Sequence, residues 1–106
     1  MDLVRHALIT AAALALAFAA QAQDDASTLR VHSLAASCAG CHGTDGHAVA
    51  SSAVPALAGA PAAQTVEKLQ AFKRGERPST VMQQIARGYT DAQIEQLAAW
   101  FAAQRP

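Results

Sequence analysis

Apolar residues at helical spacing predict four helices in this chain. The first covers residues 29–39, is rich in alanine and runs into a pair of cysteines. The second covers 64–74, where apolar positions recur at helical intervals, and it ends at Gly75. A short third helix is predicted over 80–87, with Ser79 as its N-cap.

The last helix has the clearest sequence signal. Residues 90–93 read Thr-Asp-Ala-Gln, which is a capping box with an acidic residue in the first turn. One apolar face follows it, formed by Ile94, Leu97, Ala98 and Phe101.

No segment alternates apolar and polar residues as a half-buried strand does, and no internal repeat is visible. Residues 44–59 lack periodicity and contain Gly46, Pro55 and Gly59, which predicts an irregular loop. A loop of this length in a small domain is usually functional, and wrapping around a ligand would hold it. We expect an all-α fold of about four helices in a single domain.

The N-terminus has the layout of a secretory signal peptide. Arg5 lies in the charged first segment, residues 7–20 are almost wholly apolar, and 20–22 reads Ala-Gln-Ala, a small-x-small cleavage site. The alternative is a membrane anchor, but a helix of about 14 residues spans only about 21 Å of a core of roughly 30 Å. We therefore predict a cleaved signal over 1–22, a mature domain over 23–106, a periplasmic location and no stable membrane anchor.

Composition narrows the function classes. Eight Lys and Arg residues balance eight Asp and Glu residues, so the basic excess typical of nucleic-acid binding is missing. A mature chain this short buries only about 60% of its unfolded surface, and such small domains often need a metal, a disulfide or another staple. Alanine dominates the apolar residues and buries little area, so a large apolar cofactor would complete the core.

The sequence Cys-Ala-Gly-Cys-His at 38–42 matches the attachment pattern of haem c. Two residues between Cys38 and Cys41 let both thiols reach vinyl groups on the same edge of the porphyrin. The adjacent His42 is then presented to the iron as the proximal ligand. We expect one covalent haem c as the cofactor.

Three alternatives to haem attachment are weaker for this motif. A disulfide between Cys38 and Cys41 would close too small a loop to stabilise the fold much. A thiol-redox pair is expected near a βαβ pattern, and none is present. A zinc site needs four ligands, and His42 and His47 do not have the usual spacing of a second ligand pair.

Met82 is the candidate distal iron ligand, because a thioether suits a six-coordinate carrier and raises its potential. It is the only methionine besides the initiator, although packing in the core would also account for it. His47 is the rival ligand, but it follows His42 closely enough to stay on the proximal side. His32 is interpreted as a surface residue.

Three further features are open to a functional or a structural interpretation. The carbonyl of Pro55 is a candidate acceptor for the second N–H of His42, or the segment is simply a turn. Trp100 is more typical of a helix contact than of a redox relay. A basic cluster is either a solvated face or a surface that steers a redox partner; its members are Lys68, Lys73, Arg74 and Arg77.

These residues together resemble a short class I cytochrome c. The resemblance rests on the attachment motif at 38–42, Pro55-x-Leu57-x-Gly59, residues 69–75, Met82-x-x-Ile85-Ala86 and the capped final helix. It implies a compact all-α fold with His42 and Met82 as iron ligands, and with the carbonyl of Pro55 accepting a hydrogen bond from His42.

A narrower similarity is to the cytochrome subunit of flavocytochrome c sulfide dehydrogenase, carried by residues 72–75 and 79–89. It implies electron transfer from a partner subunit that binds FAD and oxidises sulfide. The chain has no Gly-rich nucleotide-binding fingerprint, so the flavin would lie on that partner. It is thus expected to be an electron-transfer subunit rather than an enzyme by itself. The alternatives are a free-standing monohaem carrier between respiratory complexes and, more remotely, a haem enzyme or gas sensor.

Overall fold

The secondary structure of this chain is entirely helical, which confirms the all-α prediction. The computed structural model describes residues 1–106, which divide into two units, Met1–Arg30 and Val31–Pro106. The helices are α1 (Asp2–Ala36), α2 (Ala39–His42), α3 (Ala62–Lys73), α4 (Met82–Arg87) and α5 (Asp91–Ala103), with a 3-10 turn at Thr44–Gly46.

The first unit, Met1–Arg30, consists of most of helix α1, and its side chains are exposed. Helix α1 is long and apolar enough to cross a membrane by length and composition, and a signal sequence near an N-terminus meets the same criteria. The cleavage site after Ala22 therefore stays a prediction.

The core of the second unit forms around the apolar face of α5. Ile94, Leu97, Ala98 and Phe101 are all buried, as the sequence predicts. Helix α5 begins with the predicted capping box, in which the Gln93 amide donates to the Thr90 hydroxyl. Ile94 and Leu97 are the largest fully buried side chains, so the protein part of this core is small.

Several helix boundaries differ from the predictions. Helix α1 begins at Asp2 rather than at residue 29, and α3 covers Ala62–Lys73 rather than 64–74. The helix before the cysteines ends at Ala36 rather than at residue 39, and a turn separates it from α2, which contains Gly40. Helix α4 begins at Met82, two residues later than predicted. The N-cap of α4 is Val81, so the prediction that Ser79 occupies this position is wrong. The Ser79 hydroxyl instead accepts a hydrogen bond of 2.6 Å from the amide of Met82, the first residue of the helix.

The loop after the cysteine motif is organised around Gly46. This residue has a φ of 83°, and its carbonyl accepts hydrogen bonds from the amides of Leu57 at 2.8 Å and Ala58 at 3.1 Å. A Cβ at Gly46 would lie 2.8 Å from the Ala58 nitrogen and 2.9 Å from the Phe101 ring. The backbone of the loop therefore packs directly against α5, and only glycine fits there.

We expect Gly46→Ala to destabilise the protein more than Gly75→Ala does. Gly75 also has a positive φ, of 76°, but its nearest neighbour to a built Cβ is a flexible arginine tip at 3.8 Å. Gly75→Ala should therefore cost only the backbone term of about 1–2 kcal/mol. Gly46→Ala adds overpacking of about 1–3 kcal/mol. Urea unfolding of both variants measures the difference, and equal losses would show that the Gly46 contact is not limiting.

Half of the predicted basic cluster is paired with acidic neighbours. Lys73 forms an ion pair of 2.8 Å with Asp91, and Arg74 forms one of 2.8 Å with Glu76. The Lys73 ammonium also donates to the Tyr89 carbonyl at 2.8 Å. Half of the cluster thus serves contacts within the chain.

The Asp91 carboxylate should make stability pH-dependent. Hydrogen bonds from Lys73 and then Gln70 hold the pKa of Asp91 below its ordinary value. Its contribution is present above the unfolded-state pKa of about 3.9 and is lost as the pH falls through the lower folded-state value. Asp91→Asn should therefore be less stable than wild type at pH 7, and the difference should shrink in acid.

Urea titrations of wild type and Asp91→Asn from neutral pH to below about pH 4 test this. The same substitution made in a Lys73→Gln background is the control, since the main partner is then already missing. A stability difference that does not vary with pH would contradict the assignment.

Candidate haem-binding site

A large cavity lies between α3, α4 and the cysteine segment of the second unit. Its volume is about 1020 Å³, at the upper end of the roughly 300–1,000 Å³ typical of ligand pockets. Most of its wall is apolar, and the large contributors are Val54, Leu57, Leu69, Phe72, Ile85 and Phe101. Such a space suits a large, flat, apolar group.

Both cysteines lie on this cavity as free thiols. The His42 amide donates to the Cys38 carbonyl at 3.0 Å, so the segment makes one tight helical turn between the two sulfurs. Cys38 is half-buried, and burial raises the pKa of its thiol, an effect that the Ser37 hydroxyl partly offsets. Cys41 is exposed. The two thiols are therefore available on the wall of one cavity.

The ring of His42 is oriented by a backbone carbonyl. Nδ1 of His42 lies 2.7 Å from the carbonyl oxygen of Pro55. A carbonyl only accepts, so Nδ1 carries the proton and donates it, and the lone pair is left on Nε2. This is the arrangement that presents an imidazole nitrogen to a metal. His42 lines the same cavity as the thiols.

Met82 also lines the cavity, from the first turn of α4. The hydrogen bond from the Met82 amide to the Ser79 hydroxyl holds the start of that helix. The thioether is partly buried. Met82 is therefore on the cavity wall, where either a ligand or a packing residue would lie.

The other two histidines of the second unit lie away from the cavity. The ring nitrogens of His47 lie 3.1 Å from the Thr44 carbonyl oxygen and 2.7 Å from that of Arg105. His32 is exposed, as predicted, and its ring packs against Trp100 with centroids 4.9 Å apart. Both rings thus have structural neighbours elsewhere.

Sequence reasoning missed a hydrogen-bond chain beside the cysteines. The Ser37 hydroxyl donates to the Leu34 carbonyl at 2.7 Å, so the Tyr89 hydroxyl, 2.7 Å away, donates to Ser37. The two hydroxyl-bearing residues are 52 positions apart. No local pattern signals such a contact, yet it ties the segment before Cys38 to Tyr89, two residues after the end of α4.

These donors fit haem better than they fit another group. Two free thiols, an imidazole with one free nitrogen and a thioether line a single apolar cavity. The zinc alternative needs a cluster of His, Cys, Asp or Glu ligands, and the structure contains no group of three or more that could hold a metal ion. A helical fold with this cavity defines a c-type cytochrome.

Comparison with known proteins agrees with that class. The pattern of the cytochrome c family matches residues 30–104, and the chain therefore belongs to this family. Its cofactor is one covalent haem c, and its chemistry is haem-mediated electron transfer.

Three curated relatives have descriptions that name sulfide or thiosulfate dehydrogenase. The chain is 46% identical over 68 residues to the cytochrome subunit of sulfide dehydrogenase of Chlorobaculum tepidum, covering 64% of this chain and 60% of the relative. It is 33% identical to the thiosulfate dehydrogenase electron acceptor of Stutzerimonas stutzeri, covering 97% of this chain and 49% of the relative. A protein with the same description from Thiomonas intermedia is 35% identical over 72 residues. The chain thus spans 60% or less of the length of each of these three relatives.

Proposed function

We propose that this chain carries single electrons in the periplasm through a haem c attached at Cys38 and Cys41, with His42 and Met82 as the iron ligands. The observation that carries the proposal is that these four side chains line one apolar cavity. When bound, the haem supplies an iron that alternates between the ferric and ferrous states. The chain itself binds the haem, orients the iron ligands and shields the haem from water.

The cavity wall and the Met82 thioether act in the same direction on the potential. An apolar wall excludes water and disfavours the extra positive charge of ferric iron. A thioether ligand raises the potential relative to nitrogen donors. Both favour the ferrous state, so the chain is suited to accept electrons from a reducing donor.

The Pro55 carbonyl has a positioning role in this proposal. Its hydrogen bond of 2.7 Å to Nδ1 of His42 fixes the tautomer and prevents the ring from rotating. A ring held in this way needs little rearrangement when the iron changes its charge. The carbonyl of Gly46 holds the loop that contains Pro55. Through the Pro55 carbonyl, this loop in turn orients His42.

The proposed donor is an FAD-containing sulfide dehydrogenase subunit. The support is the 46% identity to a cytochrome subunit of sulfide dehydrogenase, together with the resemblance carried by residues 72–75 and 79–89. In this arrangement the flavin stays on the partner, which oxidises sulfide, and electrons leave singly through this chain.

The second candidate is a free-standing carrier that accepts electrons from a thiosulfate dehydrogenase. It is favoured by a relative described as a thiosulfate dehydrogenase electron acceptor, whose match extends over 97% of this chain. Both functions use the same haem site and differ only in the donor.

The periplasmic location rests on the signal-like first 22 residues. Intact mass spectrometry of the native protein tests it. The expected mass is that of residues 23–106 plus one haem. A haem-bearing protein that retains residues 1–22 would instead support an anchor.

The donor is tested by gentle purification of the native protein from the periplasmic fraction, followed by absorption spectra before and after sulfide or thiosulfate is added. Co-purified flavin with sulfide-driven haem reduction would support the sulfide dehydrogenase partner. A flavin-free haem protein that sulfide reduces no faster than buffer controls would favour the free carrier. Reduction by thiosulfate and a thiosulfate dehydrogenase would then identify its donor.

A further inference from the structure

The cavity wall contains two long cationic side chains and no carboxylate. Lys68 on α3 and Arg77 in the turn before α4 both line it. Both residues are exposed, so their charged ends stay in contact with water. An occupant with negative charge beside them would gain charge-assisted hydrogen bonds, whereas a purely apolar occupant would gain nothing from them.

Neither cation is neutralised by the protein. The ion pairs of the chain are Lys73 with Asp91 and Arg74 with Glu76, and they involve neither Lys68 nor Arg77. Four basic residues lie between positions 68 and 77. The two outside the cavity wall form ion pairs with acidic residues, and the two on the wall do not.

Arg77 is also held in place. Its guanidinium carbon lies 5.1 Å from the centroid of the Phe72 ring, which itself lines the cavity. Its backbone carbonyl accepts a hydrogen bond of 2.9 Å from the Gln83 side chain. A guanidinium stacked on a ring keeps its planar N–H groups free at the edge, where they match a carboxylate.

We infer that Arg77 and Lys68 bind the two propionate carboxylates of the haem. This inference rests on the proposed attachment at Cys38 and Cys41, since it concerns the same bound group. Haem combines an apolar macrocycle with two carboxylates, and the cavity combines an apolar wall with two unpaired cations. In this arrangement each cation neutralises one carboxylate.

The competing role for these cations is docking of an acidic redox partner. Their position on the cavity wall and the stacking of Arg77 on a cavity-lining ring favour the haem instead. The two roles predict different measurements, because a docking cation affects salt-dependent reaction rates and a propionate partner affects the haem itself.

The test is the midpoint potential of the haem-loaded protein as a function of pH. Arg77→Gln and Lys68→Gln should each lower the potential at neutral pH, because a positive charge near the iron is lost. Each should also shift the pH-dependent region of the curve to higher pH, by about 1 pH unit or more, because a carboxylate without its cation binds protons more tightly. Arg87→Gln removes the same charge from α4 outside the cavity wall and should leave the curve close to that of wild type.

Arg77→Lys should restore most of the wild-type curve, since it keeps the charge. If Arg77→Gln or Lys68→Gln gives the same curve as Arg87→Gln, the proposal that both residues bind propionates is overturned. A salt-dependent loss of electron-transfer rate with no change in the curve would assign that residue to docking. Haem that fails to attach to wild-type protein would instead refute the proposed site, so the two failures are distinguishable.

Discussion

Met82→Ala will lower the midpoint potential of the haem-loaded protein and abolish the weak sulfur-to-iron absorption of the ferric form. The substitution removes the only thioether on the cavity wall, so water or a nitrogen donor takes the sixth position. Axial ligands and their surroundings tune haem over about 0.8 V, and the expected fall is a substantial part of that range. Electrochemical titration and absorption spectroscopy measure both effects.

Two controls separate ligation from packing. Met82→Leu keeps the volume of the side chain but not the sulfur, so it should behave like Met82→Ala. Ile85→Ala removes an apolar side chain from the same helix and the same cavity, and it should leave the sulfur absorption intact. An unchanged ferric spectrum in Met82→Ala would show that Met82 is a packing residue and that the sixth ligand lies elsewhere.

Replacing Cys38 and Cys41 together with serine will abolish covalent haem and most of the folded structure. Both thiols line the cavity, and no other cysteine exists in the chain to replace them. The remaining core has few large buried side chains, and an empty space of about 1020 Å³ would be left beside it. Without the haem, water would contact the apolar wall of this space, so the helices should lose their packing.

Haem staining after denaturing electrophoresis measures the covalent link, and circular dichroism measures the helical content. The single variants are the controls, since each retains one thiol and should keep haem through one thioether. Haem that stays attached to the double variant under denaturing conditions would refute the anchoring role. A folded, haem-free double variant would refute the structural role of the cofactor.

In the proposed haem site, Gly46 would also help to position the proximal ligand His42. His42 is oriented by Pro55, and Gly46 holds the backbone around Leu57 against α5. A substitution at Gly46 should therefore disturb both stability and the orientation of the proximal ligand. The expected loss of stability in Gly46→Ala and a change in potential would then have a common cause.

Local signals in the sequence were sufficient for the helices and for the attachment motif. The capping box of α5 and its buried face depend on residues within one or two turns of each other, and they are present as predicted. The spacing of Cys38, Cys41 and His42 is likewise a local property, and the family match agrees with the haem c that it implies. The helix ends near Gly40 and Ser79 were less accurate, because turns there depend on packing as well as on residue type.

Only the tertiary structure decided which distant residues meet. Met82 reaches the cavity and His47 does not, since the His47 ring contacts the Thr44 and Arg105 carbonyls. The Tyr89 to Ser37 hydrogen bond joins residues that no periodicity relates.

The basic cluster shows the same limit of sequence reasoning. Sequence places all four of its members close together, but packing pairs Lys73 and Arg74 with acids and leaves Lys68 and Arg77 on the cavity wall. Local sequence determined the helices and the cofactor because hydrogen bonding and motif spacing act over a few residues. The contacts between segments were decided by how those helices pack, because burial and charge pairing act between whatever surfaces the fold brings together.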